Sequence, residues 1–219
     1  MKYYKIDFSS EVKVIGRKYP QLTPVSGTHL EDPMSILQLS DNYPMQSTHS
    51  VFTLNKSAKL TDVLSGVSPY FVVNERVKEA ILKFTPKYVF FIPIKIIEPT
   101  NNKWYVLYDP YSDELTEMIN FDETIFCIVS KKLEIIEEFK LNSSSKDKRQ
   151  LLRDKFAEYE TPPIIRVKKL VIKNKYATLD FFSISPFIMD PIISENIKSE
   201  LDDKKITGFE YMEMSISFT

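Results

Sequence analysis

The chain has 219 residues, 43% apolar, 13% aromatic and 27% charged, with a formal net charge of −1; this is the composition of a globular protein of one domain or two small ones. One Cys, four Gly and 13 Pro exclude a disulfide framework, a Cys-based zinc site and a collagen-like or Gly-rich linker chain. No apolar run approaches the roughly 18 residues of a membrane span, and MKYYKIDFSSEVKV lacks a signal peptide's apolar stretch, so a cytoplasmic protein without a membrane partner is expected.

In chain order, KYYKIDF (2–8) reads as a short strand, aromatic and β-branched with polar residues between. Pro20, Pro24, Pro33 and Pro44 then punctuate a Ser- and Thr-rich stretch without sustained periodicity. Proline removes a backbone donor, so residues 1–49 are expected to be an N-terminal arm wrapped on a core formed by residues 50–219. MSILQL (34–39) fits a helical turn or a short strand equally well. Strand patterns follow at 49–55, 88–97, 103–109, 124–136, 164–173 and 208–218, with the Pro/Asn-bearing EPTNN (98–102) as a hairpin connection. In the last strand Phe209 and Tyr211 lie on one parity, and Met212, Met214, Ile216 and Phe218 on the other. A β-bulge near Tyr211–Met212 would bring them to one face.

Two helices are capped. Asn74 precedes ERVKEAILKF, with Val77, Ile81 and Phe84 on one face and Glu75 in the first turn; Ser194 precedes ENIKSEL, with Ile197 and Leu201 aligned and Glu195 in the same place. A third helical pattern, over 143–159, is charged on its other faces and reads as a surface helix or a mobile charged insertion. The two capped segments, VVNERVKEAI (72–81) and IISENIKSEL (192–201), match at a constant offset of 120, each before an aromatic strand. That order suggests an internal duplication of a strand–helix–strand unit.

Candidate chemistry is sparse. Cys127 sits in the strand pattern TIFCIVS and reads as a core thiol. His29 and His49 are the only imidazoles; with Glu31 and Asp32 they could hold a metal, though without the spacing that puts two ligands on one helix face. No glycine-rich phosphate cradle is present. Residues 131–175 carry 13 basic and seven acidic side chains, but acids interleave and no nucleic-acid-binding module appears, so no nucleic-acid partner is expected. The opposite bias is sharper. From Trp104 to Ser130 run Asp109, Asp113, Glu114, Glu117, Asp122 and Glu123, with no Lys or Arg and with Trp104, Tyr105, Tyr108 and Tyr111 among them. This reads either as a solvated loop or as an acidic docking surface in which Asp109, Asp113, Glu114 and Glu117 steer a basic partner and Tyr111 anchors it.

The segments YFVVNERVKEAI (70–81), FFIPIKI (90–96), WYVLYD (104–109), TIFCI (124–128), LDFF (179–182) and IISENIKSELDDKKITGFEY (192–211) stand in an order that resembles the MXAN-type immunity proteins of bacterial polymorphic toxin systems, formerly a domain of unknown function. The resemblance covers residues 50–219. It departs at Asn74, where the family usually has Ser, and does not extend to residues before 50 or to 140–160. It implies a non-catalytic, cofactor-free cytoplasmic protein that binds and blocks a cognate toxin, and it hands over no site residues. The expected fold is α+β, a mostly antiparallel sheet with two or three packed helices. Two other functions stay open: a small metal-dependent hydrolase or transferase using His29 and His49, and an adaptor or structural module.

Overall fold

The structure is a computed structural model that describes residues 1–28, 35, 48–67, 70–87, 89–99, 101–108, 117–130, 134–141, 154, 157, 159, 164–184 and 188–219, with backbone alone at 188–190. The strands are β1 (Tyr3–Phe8), β2 (Leu22–Ser26), β3 (Val51–Leu54), β4 (Val63–Val67), β5 (Tyr70–Asn74), β6 (Phe90–Ile97) and β7 (Trp104–Tyr108), then β8 (Ile125–Val129), β9 (Ile135–Phe139), β10 (Ile164–Ile172), β11 (Phe181–Ile184), β12 (Ile188–Ser194), β13 (Phe209–Met214) and β14 (Ile216–Phe218). The helices are a single turn, α1 (Val12–Ile15), and two longer ones, α2 (Glu75–Leu82) and α3 (Glu195–Asp203). The fold is α+β and dominated by sheet.

The strands make three sheets where the sequence suggested one. The first has order β2-β3-β6-β7-β5-β4, the second β11-β12-β1-β13, the third β14-β10-β8-β9. Pairing is antiparallel except at β3·β6 and β10·β14. Alternation within the strands shares their side chains among three cores. Phe71, Val73 and Leu107 from the first sheet meet Ile6, Phe181 and Ile193 from the second around Val77, Ile81, Ile197 and Leu201 of the two helices. Opposite parities of the same strands, Val72, Val106 and Trp104, pack with Leu22 and Phe52. Tyr3, Phe182 and Ile192 pack against Phe126, Leu170 and Ile172 of the third sheet. Sheets one and two are therefore apolar on both faces.

This layering corrects the bulge expected in the last strand. β1 and β13 pair without a break from Tyr3↔Met214 to Phe8↔Phe209. Phe209 and Tyr211 face the helix-bearing core, while Met214 faces the core shared with the third sheet. A strand between two cores is apolar on both parities, so it needs no slip. Residues 1–28 are likewise structural: β1 lies between β12 and β13, and β2 pairs with β3 through Pro24 at the sheet edge, where a missing donor costs no ladder bond. The stretch around MSILQL and nearly all of 143–159 lie outside the described residues.

Both helices start as their caps dictate. The Asn74 side chain accepts from Val77 N at 3.2 Å, and that of Ser194 from Ile197 N at 3.4 Å. Each such cap contributes about 1 kcal/mol, and each fully buried apolar side chain beneath roughly 1.5–3 kcal/mol, so burial holds the helices and the caps fix where they begin. The echo between them is structural too. Asn74 N donates to Asp62 O at 3.0 Å and Ser194 N to Asp180 O at 2.8 Å. Asn74 Nδ2 and Ser194 Oγ then donate to the carboxylates of those same aspartates. Thr85 and Lys205, again 120 apart, end the two helices in the left-handed region at φ 46° and 52°. The helices pack on each other in one core.

In that core the hydroxyl of Tyr211 is buried with no hydrogen-bond partner among the described residues, and burial pushes its pKa far up. A buried hydroxyl without a partner is a net cost. Tyr211→Phe keeps the ring against Phe209 and is expected to raise the unfolding free energy by about 1 kcal/mol in urea titration.

Candidate functional site

The acidic run begins on β7, and there the sheet decides what each aromatic does. Trp104 and Tyr108 point into the core with Leu22 and Phe52, at 2% and 3% exposure. They are packing residues, as the alternative reading of this run had them. Tyr105 points the other way, toward α2. Its hydroxyl donates to Glu75, and its ring lies 4.0 Å beneath the Lys78 ammonium, itself 3.1 Å from Glu75. The Tyr105 bond holds the Glu75 carboxyl below the usual carboxylate range against the opposing effect of burial. Burial works against the Lys78 ammonium, but bonds to Tyr105 and Glu75 outweigh it and raise its pKa. The three groups satisfy one another and clasp α2 to β7.

Asp109, Tyr111, Asp113 and Glu114 lie outside the described residues. Glu117 is described, and it is exposed, immediately before Met118 and Ile119, which are fully buried. The chain here is fastened across the end of β10. Lys173 N donates to Met118 O at 2.9 Å, Asn120 N to Val171 O at 2.8 Å, and Ile119 bridges Ile172. Thr124, fully buried, accepts from Val171 N at 3.0 Å and closes the turn with a bond from its own N to Asn120 O. Between these fixed points Asp122 and Glu123 project into solvent. Asn120 Nδ2 reaches both Glu123 and Thr219, each at 3.0 Å, and Lys140 donates to the Asp122 carbonyl. A buried base thus carries three exposed acids, Glu117, Asp122 and Glu123.

The other candidates do not assemble. His49 is exposed, while His29, Glu31 and Asp32 lie outside the described residues. Among the described residues no group of three or more His, Cys, Asp or Glu is arranged to hold a metal. Cys127 is 4% exposed on β8, between Arg166 and Glu138 of the adjoining strands, and burial pushes its thiol pKa up. A thiol held protonated in this way is a poor nucleophile.

Sequence reasoning missed a polar knot between the two helix-bearing units. Asp62, 7% exposed, accepts from Asn74 Nδ2 and Arg76 Nη1, both at 2.8 Å, and from Thr207 N and Oγ1, both at 2.9 Å. Arg76 Nη2 also donates to Lys204 O at the end of α3. Gly208 beside it has φ +104°, and a Cβ there would meet Val63 O at 2.5 Å, so only glycine lets the chains approach. The sole signal in the sequence was Asp62 itself, a lone acid between apolar runs.

No protein-family model and no curated protein matches this chain. Among the described residues no helix is long and apolar enough to cross a membrane.

Proposed function

We propose that this protein is an immunity protein that binds a cognate bacterial toxin and blocks it without catalysis, in the cytoplasm of the cell it protects. The observation that carries the reading is the unbroken negative run: six acids and no base from 104 to 130, with Glu117, Asp122 and Glu123 exposed on a buried base. A toxin that cuts nucleic acid must present a basic cleft, and carboxylates placed where phosphates would lie compete for it. Opposed potentials also accelerate encounter, which an inhibitor needs if it is to act before the toxin does. In this reading Asp109, Asp113, Glu114 and Glu117 steer, and Tyr111 anchors. The segments that carry the resemblance to MXAN-type immunity proteins fall on β5–α2, β6, β7, β8, β11 and β12–α3–β13; they are the scaffold that presents this run.

The test is co-expression with candidate toxin domains taken from the genes that flank this one. Growth should be restored, and the two proteins should co-purify as a stoichiometric complex. Continued killing with both proteins present and no complex on size exclusion would contradict the proposal.

A further inference from the structure

We infer that the chain is two copies of one seven-element unit, and that the second copy is closed by β1, a strand that precedes the first copy in sequence. The echo around the helices is the middle of this longer repeat. The first copy runs β2, β3, β4, β5, α2, β6, β7. The second runs β8, β10, β11, β12, α3, then β13 with β14, and takes β1 as its last strand. Its neighbours agree throughout. The first sheet has order β2-β3-β6-β7-β5-β4. Reading the third sheet from β8 to β14 and the second from β13 to β11 gives β8-β10-β14, β13-β1-β12-β11, the same order with the sheet parted at Ser215.

Registers fix the correspondence residue by residue. Trp104 of β7 pairs with Asn74 and Ile94; Tyr3 of β1 pairs with Ser194 and Met214. Asn74 and Ser194, like Ile94 and Met214, are 120 apart. Phe52 pairs with Ile96 in parallel, and Leu170 with Ile216 in parallel, which places β3 on β10 at an offset of 118. Asp62 and Asp180 keep that offset. So does the turn that follows the strand: Ala58 N donates to Asn55 O, and Tyr176 N to Lys173 O, both at 2.9 Å. Asn55 N donates to Gln21 O and Lys173 N to Met118 O, which sets β2 on the segment leading into β8. Leu22 then pairs with Leu54 where Ile119 bridges Ile172. Both copies carry their longest connection at one place, residues 27–50 in the first and 130–163, including β9, in the second.

Unrelated βα folds share strand orders, but not a run of backbone pairings that keeps one offset within each matched strand. Several side chains are identical between the copies. Glu75, Lys78, Lys103 and Tyr105 correspond to Glu195, Lys198, Lys2 and Tyr4, and in both the lysine lies over the tyrosine ring, at 4.0 Å and 5.5 Å. The connection into the last strand differs as well. A hairpin of six residues, 98–103, joins β6 to β7, whereas in the second copy the corresponding gap holds Phe218 and Thr219 on one side and Met1 and Lys2 on the other. The Tyr3 and Phe218 rings are 5.8 Å apart across that gap. β1 is therefore a strap: it fills the slot between β12 and β13, with Tyr3 in one core and Ile6 in another.

The difference in loop length names the experiment. Joining Thr219 to Met1 through two residues, Gly-Asn, restores the six-residue hairpin of the first copy. The 219-residue chain, closed by split-intein ligation, should give a cyclic monomer with an unchanged circular dichroism spectrum. Its Tm should rise by roughly 5 °C over the linear chain, because closure removes freedom from the unfolded state only. A twelve-residue linker should give a smaller rise. A cyclic monomer that melts below the linear chain overturns the inference, as does a ligation that yields only linked multimers.

Discussion

Asp62→Ala should lower the unfolding free energy by about 3 kcal/mol, the largest loss expected from any single polar side chain described here. The carboxylate gathers four donors from Asn74, Arg76 and Thr207. Removing it leaves the buried Asn74 amide short of an acceptor, at about 1–3 kcal/mol, while the Thr207 N–H, on an exposed residue, costs less because water can take it. Arg76 adds less, because its side chain is 56% exposed and water takes over part of the ion pair. Asp180 occupies the equivalent place in the second copy but, among the described residues, its side-chain donors are Ser194 Oγ at 2.5 Å and Asn196 Nδ2 at 3.4 Å. Asp180→Ala should therefore cost about half as much. Urea titrations of both variants measure this. Equal losses, or a loss below about 1 kcal/mol at Asp62, would mean that the knot does not join the two copies.

What the sequence disclosed was local. Asn74 and Ser194 announced the helices because a cap and the apolar face behind it lie within a few residues of each other. Cys127 was readable as core from its strand pattern alone. The errors share one cause. β4, β5, β11 and β12 are buried on both faces, so they show no alternation to mark them as strands. In β13 Phe209 and Tyr211 pack on one core and Met214 on another while Met212 is exposed, so its apolar residues looked like a phase error. Trp104 and Tyr108 were ambiguous because aromatic content does not say which parity of a strand faces a core. The Asp62 knot and the strap were out of reach for a different reason: each joins residues distant in sequence, Asp62 with Thr207 and Tyr3 with Ser194. The echo at offset 120 was visible, but its extension to β1 was not, since only registers reveal a strand that has moved in chain order.

The second large effect concerns the partner. Reversing Asp113, Glu114 and Glu117 to Lys changes the charge of the acidic run by +6, from net −6 to zero. Glu117 is exposed, so the replacement removes field without disturbing Met118 or Ile119 beneath. Long-range charge governs encounter more than the finished complex. The association rate constant with the proposed toxin partner should fall on the order of 10- to 100-fold at low salt. Dissociation should change far less, and the dependence of association on ionic strength should flatten. Tyr111→Ala should act the other way, speeding dissociation with little effect on encounter. Stopped-flow association across a salt series, on the wild-type chain and the triple Lys variant, tests the central claim most directly. The account predicts a slower rate and a shallower salt slope in the variant. An unchanged rate with an unchanged slope would show that the acids only solvate a loop and that the toxin, if bound, is held elsewhere.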